Sequence, residues 1–204
     1  MGRGHGSSRG GGGASGFRGD RTMSGYSAGL AKAMTEQEAA IRHDASESVH
    51  IFTESGEKIL GERGKATTVQ IYERDLPKIK DNVVTHNHPS GTDFYGRPVR
   101  TVSFSSTDVV SAVRYNAKEY RAAAEGYTFS MKRPAGGWGK SDRAFSMRYN
   151  KIYKETFARN QAYIASYKGD KRTAGSRALQ VTHHAVMKQL SKEFGFEYTK
   201  QRIG

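Results

Sequence analysis

Two histidines separated by one residue, His86 and His88, close the run Val83-Val84-Thr85 and are followed by Pro89. On a strand, residues i and i+2 point to the same side of the sheet, so both imidazoles project together. The proline ends the strand and fixes the chain as it leaves. Downstream, Ser105-Ser106-Thr107-Asp108 brings a carboxylate into what reads as the first turn of a helix. Two imidazoles and one carboxylate on a rigid frame make a three-ligand zinc site, His86, His88 and Asp108, with a fourth position left for water. Hydrolysis at such a site also needs a base near neutral pH and a donor for the developing oxyanion. Ser105 can aim its hydroxyl at the same centre while capping the helix with Asp108. Glu47 is the expected base, because it heads the first strand and can lie beside the strand that carries the histidines. Glu54, Glu57 and Glu62 fall in or after a turn and are expected in solvent.

These residues have to be positioned by an α+β chain. A helix is expected over Ser27 to His43, where Leu30, Met34, Ala39 and Ile41 recur among good helix formers. Glu47 to Thr53 alternates as a strand, residues 54–57 turn, and Lys58 begins the return strand of a hairpin. Thr67 to Tyr72 is a further β-like run. Glu73 to Lys80 is a short helix or turn broken by Pro77. Asn82 to His86 is a short central strand, residues 87–104 a long loop, and Ser106 to Lys118 a helix. Tyr120 to Ala124 and Tyr127 to Met131 form a hairpin turning at Glu125-Gly126. Two basic helices, Asp142 to Tyr167 and Ser176 to Glu193, follow a loop that contains Trp138.

Composition narrows the class. The 204 residues suit one domain with appendages: a Gly/Ser/Arg-rich tail over 1–26, a hydrolase domain over 27–139 and a basic helical extension over 140–204. No apolar run approaches the length of a membrane span, and the basic N-terminus lacks the apolar core of a secretory signal. Cysteine is absent, so a metal here is held by His and carboxylates; the same absence fits a reducing, cytoplasmic compartment. The net charge of +13 favours polyanions or acidic proteins as partners of the C-terminal helices, or merely keeps their faces solvated. The stripe Tyr149, Tyr153, Phe157, Tyr163 and Tyr167 reads as helix packing ahead of base stacking. His50 is expected on the sheet face opposite the histidine pair. His183 and His184, adjacent on a helix, point about 100° apart and are not expected to share a metal.

Taken together, Glu47, His86-Asn87-His88-Pro89 and Ser105-x-x-Asp108 resemble the JAB/MPN (JAMM) metalloprotease signature. His86-Asn87-His88-Pro89-Ser90-Gly91 is most similar to its RadC-like branch and to JAB domains of phage and mobile elements. The resemblance spans Glu47 to Trp138, somewhat under half the chain, and the loop from Ser90 to Phe104 is longer than the family's. It implies a cytidine-deaminase-like mixed sheet flanked by helices, zinc on His86, His88 and Asp108, Glu47 as general base and Ser105 as oxyanion donor. The implied reaction is hydrolysis of an amide or isopeptide bond, commonly beside the C-terminus of a ubiquitin-like protein. It also implies a bacterial host cell, with the chain phage-encoded or virion-associated. Two other classes remain open: a non-catalytic structural or nucleic-acid-associated protein on the same scaffold, and a nuclease or toxin-like effector.

Overall fold

A central strand buried on both faces organises the chain. In the computed structural model, which describes residues 25–65, 68–89, 91–92, 98–99, 103–169 and 171–203, that strand is β3 (Val83–His88). It lies between β1 (Ser48–Phe52), antiparallel to it, and β6 (Glu119–Ala124), parallel to it. A parallel neighbour requires a crossover, which α2 (Ser106–Arg114) supplies. The mixed sheet has the order β2-β1-β3-β6-β7-β8, with β2 at Lys58–Arg63, β7 at Tyr127–Lys132 and β8 at Glu197–Arg202. A two-stranded ribbon, β4 (Gly91–Thr92) with β5 (Pro98–Val99), lies within the expected long loop. The expected α+β class, a mixed sheet flanked by helices, is therefore observed.

Strand alternation sorts side chains onto two faces. Val83 and Phe52 meet Leu30 and Met34 of α1 (Ala28–Ile41) on one side. On the other, Val84, Val49, Ile51, Ala122 and Phe129 join Val109 and Ala112 of α2. Phe145, Tyr149 and Ile152 of α3 (Asp142–Ser166) and Val186, Met187 and Leu190 of α4 (Lys171–Phe194) enter that same cluster. The segment expected as a helical extension thus supplies part of this core and an edge strand. Trp138 is a buried member of this core, edge-on to Phe145. The aromatic stripe of α3 divides: Tyr149 is buried and Tyr153 stacks on Phe157, whereas Tyr163 and Tyr167 are exposed.

The α1 face also holds charge. Arg121, fully buried, donates from Nε to Glu38 Oε1 at 2.6 Å and from Nη1 to Glu119 Oε1 at 2.8 Å. Arg42 donates to the carbonyls of Ala124 and Tyr127 and to Thr128 Oγ1. Charges taken out of water are tolerated only when paired and hydrogen-bonded, so α1 is held at one position over the sheet.

Several boundaries differ from the sequence reading, among them the start of α4, at Lys171 in place of Ser176. Residues 68–72 form no strand: Val69 and Ile71 pack on the core without a ladder partner, and Thr67 lies outside the described residues. Strand β3 continues through His88, because β6 pairs as far as His88↔Ala124. Helix α2 stops at Arg114, where Asn116 takes a left-handed conformation (φ 54°) that asparagine tolerates. Strand β8 was not anticipated; its polar sequence is that of an edge strand, turned out of α4 by Gly195 at φ 75°. Replacing Arg121 by Ala leaves two buried carboxylates without their cation. A loss of about 3–5 kcal/mol is expected in urea denaturation, and a change under about 1 kcal/mol would refute the clamp.

Candidate metal centre

The pleat of β3 places His86 and His88 on the α2 side of the sheet and Asn87 on the α1 side. The two Nε2 atoms lie 2.8 Å apart, with the rings edge-on at 4.6 Å between centroids. Beside them β6 contributes Ala122 and Ala124, opposite His86 and His88 respectively, so small side chains leave the imidazoles room. Phe104 and Tyr120 wall the buried His86.

Carboxylates approach from two directions. The β1–β3 register pairs Val49 with His86; continued by two residues, it sets Glu47 opposite His88. One ligand atom each of Glu47, His86 and His88 lie within 4.8 Å of one another, a group able to hold a metal ion. From α2, Asp108 Oδ1 comes to 3.4 Å from His86 Nε2, and Oδ2 to 3.8 Å from His88 Nε2. A tetrahedral ion with metal–donor distances near 2.0–2.1 Å separates its donors by about 3.3 Å. The 2.8 Å between the Nε2 atoms and the 3.4 Å from His86 Nε2 to Asp108 Oδ1 lie near that value, His88 being nearer the other oxygen, Oδ2, at 3.8 Å. Two imidazoles beside carboxylates are the donor types such an ion takes, so the residues present fit it.

The carboxylates differ in character. Burial raises the pKa of Glu47, with Asp108 adding to the rise and His86 opposing it; the net shift is upward. Burial pushes Asp108 the same way, but His86, His88 and the Ser105 hydroxyl outweigh it and hold the carboxyl below its usual range. Burial disfavours charge on His86; Asp108, Glu47 and the Arg121 carbonyl overcome this and raise its pKa. Two carboxylates facing two imidazoles make a pocket that attracts positive charge, whether carried by a proton or by a metal.

Ser105 caps α2. Its backbone N and its hydroxyl both donate to Asp108 Oδ2 at 2.7 Å, and its Oγ accepts from Asp108 N at 3.3 Å. The hydroxyl expected to meet an oxyanion is therefore directed at Asp108, which it orients. The group whose ligand atoms lie closest together is Glu47, His86 and His88; Asp108, the expected third ligand, stands outside that group but beside both imidazoles, with Ser105 behind it. His50 lies on the opposite face, where burial lowers its pKa to about 4. Among the described residues no helix is long and apolar enough to cross a membrane.

Asn87 is the residue that the sequence reading passed over. Fully buried, it accepts at Oδ1 from Ser48 N (2.7 Å) and Ser48 Oγ (3.0 Å), and it donates from Nδ2 to the carbonyl of Ser46 at 3.0 Å. It ties down both neighbours of Glu47. Its place between the two histidines is the signal that was available: the middle residue of a His-x-His must face the other way.

Comparison with known proteins finds no match, whether to a family model, a curated protein or a solved structure. The site is therefore argued from its geometry. Asn87→Ala leaves a buried N–H and a carbonyl unsatisfied; about 2–3 kcal/mol of stability should be lost in chemical denaturation, against no more than about 0.5 kcal/mol if the tie is incidental.

Proposed function

We propose that this chain is a JAB/MPN-like, zinc-dependent hydrolase that cleaves an amide or isopeptide bond. The observation that carries the reading is the convergence of the His86 and His88 Nε2 atoms, 2.8 Å apart, on two carboxylates with opposite protonation tendencies. His86, His88 and Asp108 would hold the metal. Asp108 suits that task because its carboxylate stays ionised and Ser105 fixes its rotamer. Zinc bound there supplies Lewis acidity, polarising a carbonyl and making water nucleophilic near neutral pH.

The chain's own residues do the proton work. Burial gives Glu47 a raised pKa, the property of a group that takes a proton from attacking water and returns it to a leaving amine. Tyr120 and Phe104 keep bulk water from the inner side of His86. Ser105 holds Asp108 in the resting state; as an oxyanion donor it would have to release that carboxylate when substrate binds. The substrate class that goes with this reaction is a peptide or isopeptide, ubiquitin-like conjugates included.

The test uses the full chain loaded with zinc and a fluorogenic C-terminal amide of a ubiquitin-like protein, beside a mixed peptide library. Glu47→Gln should keep stoichiometric zinc and lose about 10²–10⁴-fold in hydrolysis, whereas His88→Ala should lose the metal as well. Full activity of a zinc-replete Glu47→Gln protein would remove Glu47 from the mechanism.

A further inference from the structure

The chain enters the candidate site through Ser103 and Phe104, the two residues before the Ser105 cap. Both are held by side chains from the C-terminal elements. Tyr149 of α3 donates its hydroxyl to the Phe104 carbonyl at 2.8 Å. His183 of α4 sets Nδ1 2.7 Å from that hydroxyl and 3.3 Å from the same carbonyl. One arrangement satisfies all three contacts: Nδ1 carries a proton shared between the Tyr149 oxygen and the carbonyl, and the tyrosine proton goes to the carbonyl. The neutral Nδ1–H tautomer of His183 meets these contacts, and burial lowers its pKa against the opposing effects of the Phe104 carbonyl and Asp108. Next to it, the Tyr198 hydroxyl of β8 lies 2.7 Å from Ser103 Oγ and 2.9 Å from His184 Nδ1.

Adjacent helix positions point about 100° apart, so His183 and His184 reach two different tyrosines. Both tyrosines end on consecutive residues of one short segment. Tyr149 is 2 % exposed, so its hydroxyl contacts are made out of water, where losing one is costly. Phe104 directly precedes Ser105, the cap that orients Asp108, so little slack remains between Phe104 and the site.

We infer that His183 with Tyr149, supported by His184 with Tyr198, is a clamp that positions Asp108 by holding residues 103–104 in place. These are positioning residues, since none reaches the donor atoms of the site. The C-terminal helices and the last strand thereby take a part in the chemistry: they set where the second carboxylate stands. Its catalytic meaning rests on the proposed metal-dependent function, but the clamp itself can be tested without metal.

The experiment compares the full-length protein with Tyr149→Phe, His183→Ala and His183→Asn, the last keeping a side-chain N–H near the position of Nδ1. Amide hydrogen exchange is followed in the metal-free proteins, and zinc affinity and the visible spectrum of the cobalt(II)-loaded proteins are recorded beside it. Tyr149→Phe and His183→Ala should speed exchange about tenfold in peptides covering 103–108, leaving the middle of α3 unchanged. They should also weaken zinc about tenfold and alter the cobalt spectrum, with His183→Asn restoring most of both. Exchange and affinity within twofold of the parent would overturn the clamp. So would acceleration spread evenly over α3 and α4, which would mark a packing role only. If the parent binds neither zinc nor cobalt, the functional reading fails by itself, and the exchange data still decide whether the segment is clamped.

Discussion

The ion pairs of Arg121 with Glu38 and Glu119 are the constraint on which the rest depends. A guanidinium with no exposure to solvent is stable only where carboxylates meet it closely, and here α1 and β6 each bring one. This requirement fixes which side of β6 faces α1. Tyr120, Ala122 and Ala124 must then face α2, and the parallel register carries the two alanines alongside His86 and His88. Thr85 repeats the pattern on β3, with its hydroxyl donating to Glu38 Oε1 from the residue beside His86. A polar network on one face of the sheet thereby holds the donors on the other in register.

The same logic governs the carboxylates. Each is held by its neighbours: Asn87 anchors the residues on either side of Glu47, and the Ser105 cap grips Asp108 through Oδ2. Their environments push them apart, one toward carrying a proton and the other toward staying ionised. Where two carboxylates in one pocket differ in this way, an acid–base role and a ligand role separate without any difference in residue type.

The sequence made much of this legible, and the reasons are specific. His86 and His88 could be placed on one side of a strand because strand period is two and the apolar run before them marks a buried strand. Asp108 could be placed at a helix start because Ser105 caps it. Glu47 could be placed because it heads the first strand, which can lie beside the strand that ends in the histidines. What could not be read depends on contacts between distant residues. The polar sequence of β8 offers no periodic signal, and it becomes a strand because β7 offers it a ladder. The roles of Tyr149 and His183 depend on α3 and α4 returning to residues 103–104, some 45 and 79 positions away in sequence. Arg121 and Glu119 sit in a run that reads as an ordinary strand, and only the placement of α1 reveals them as a buried network.

Everything proposed for this site requires that His86, His88 and a carboxylate hold one metal ion. X-ray absorption at the zinc edge, on full-length protein purified without chelator and brought to one equivalent of zinc, tests it most directly. Two imidazole nitrogens with oxygen donors at about 2.0–2.1 Å are expected, and the loss of one imidazole shell on His88→Ala. Zinc bound without imidazole, or a spectrum unchanged by that substitution, would contradict it.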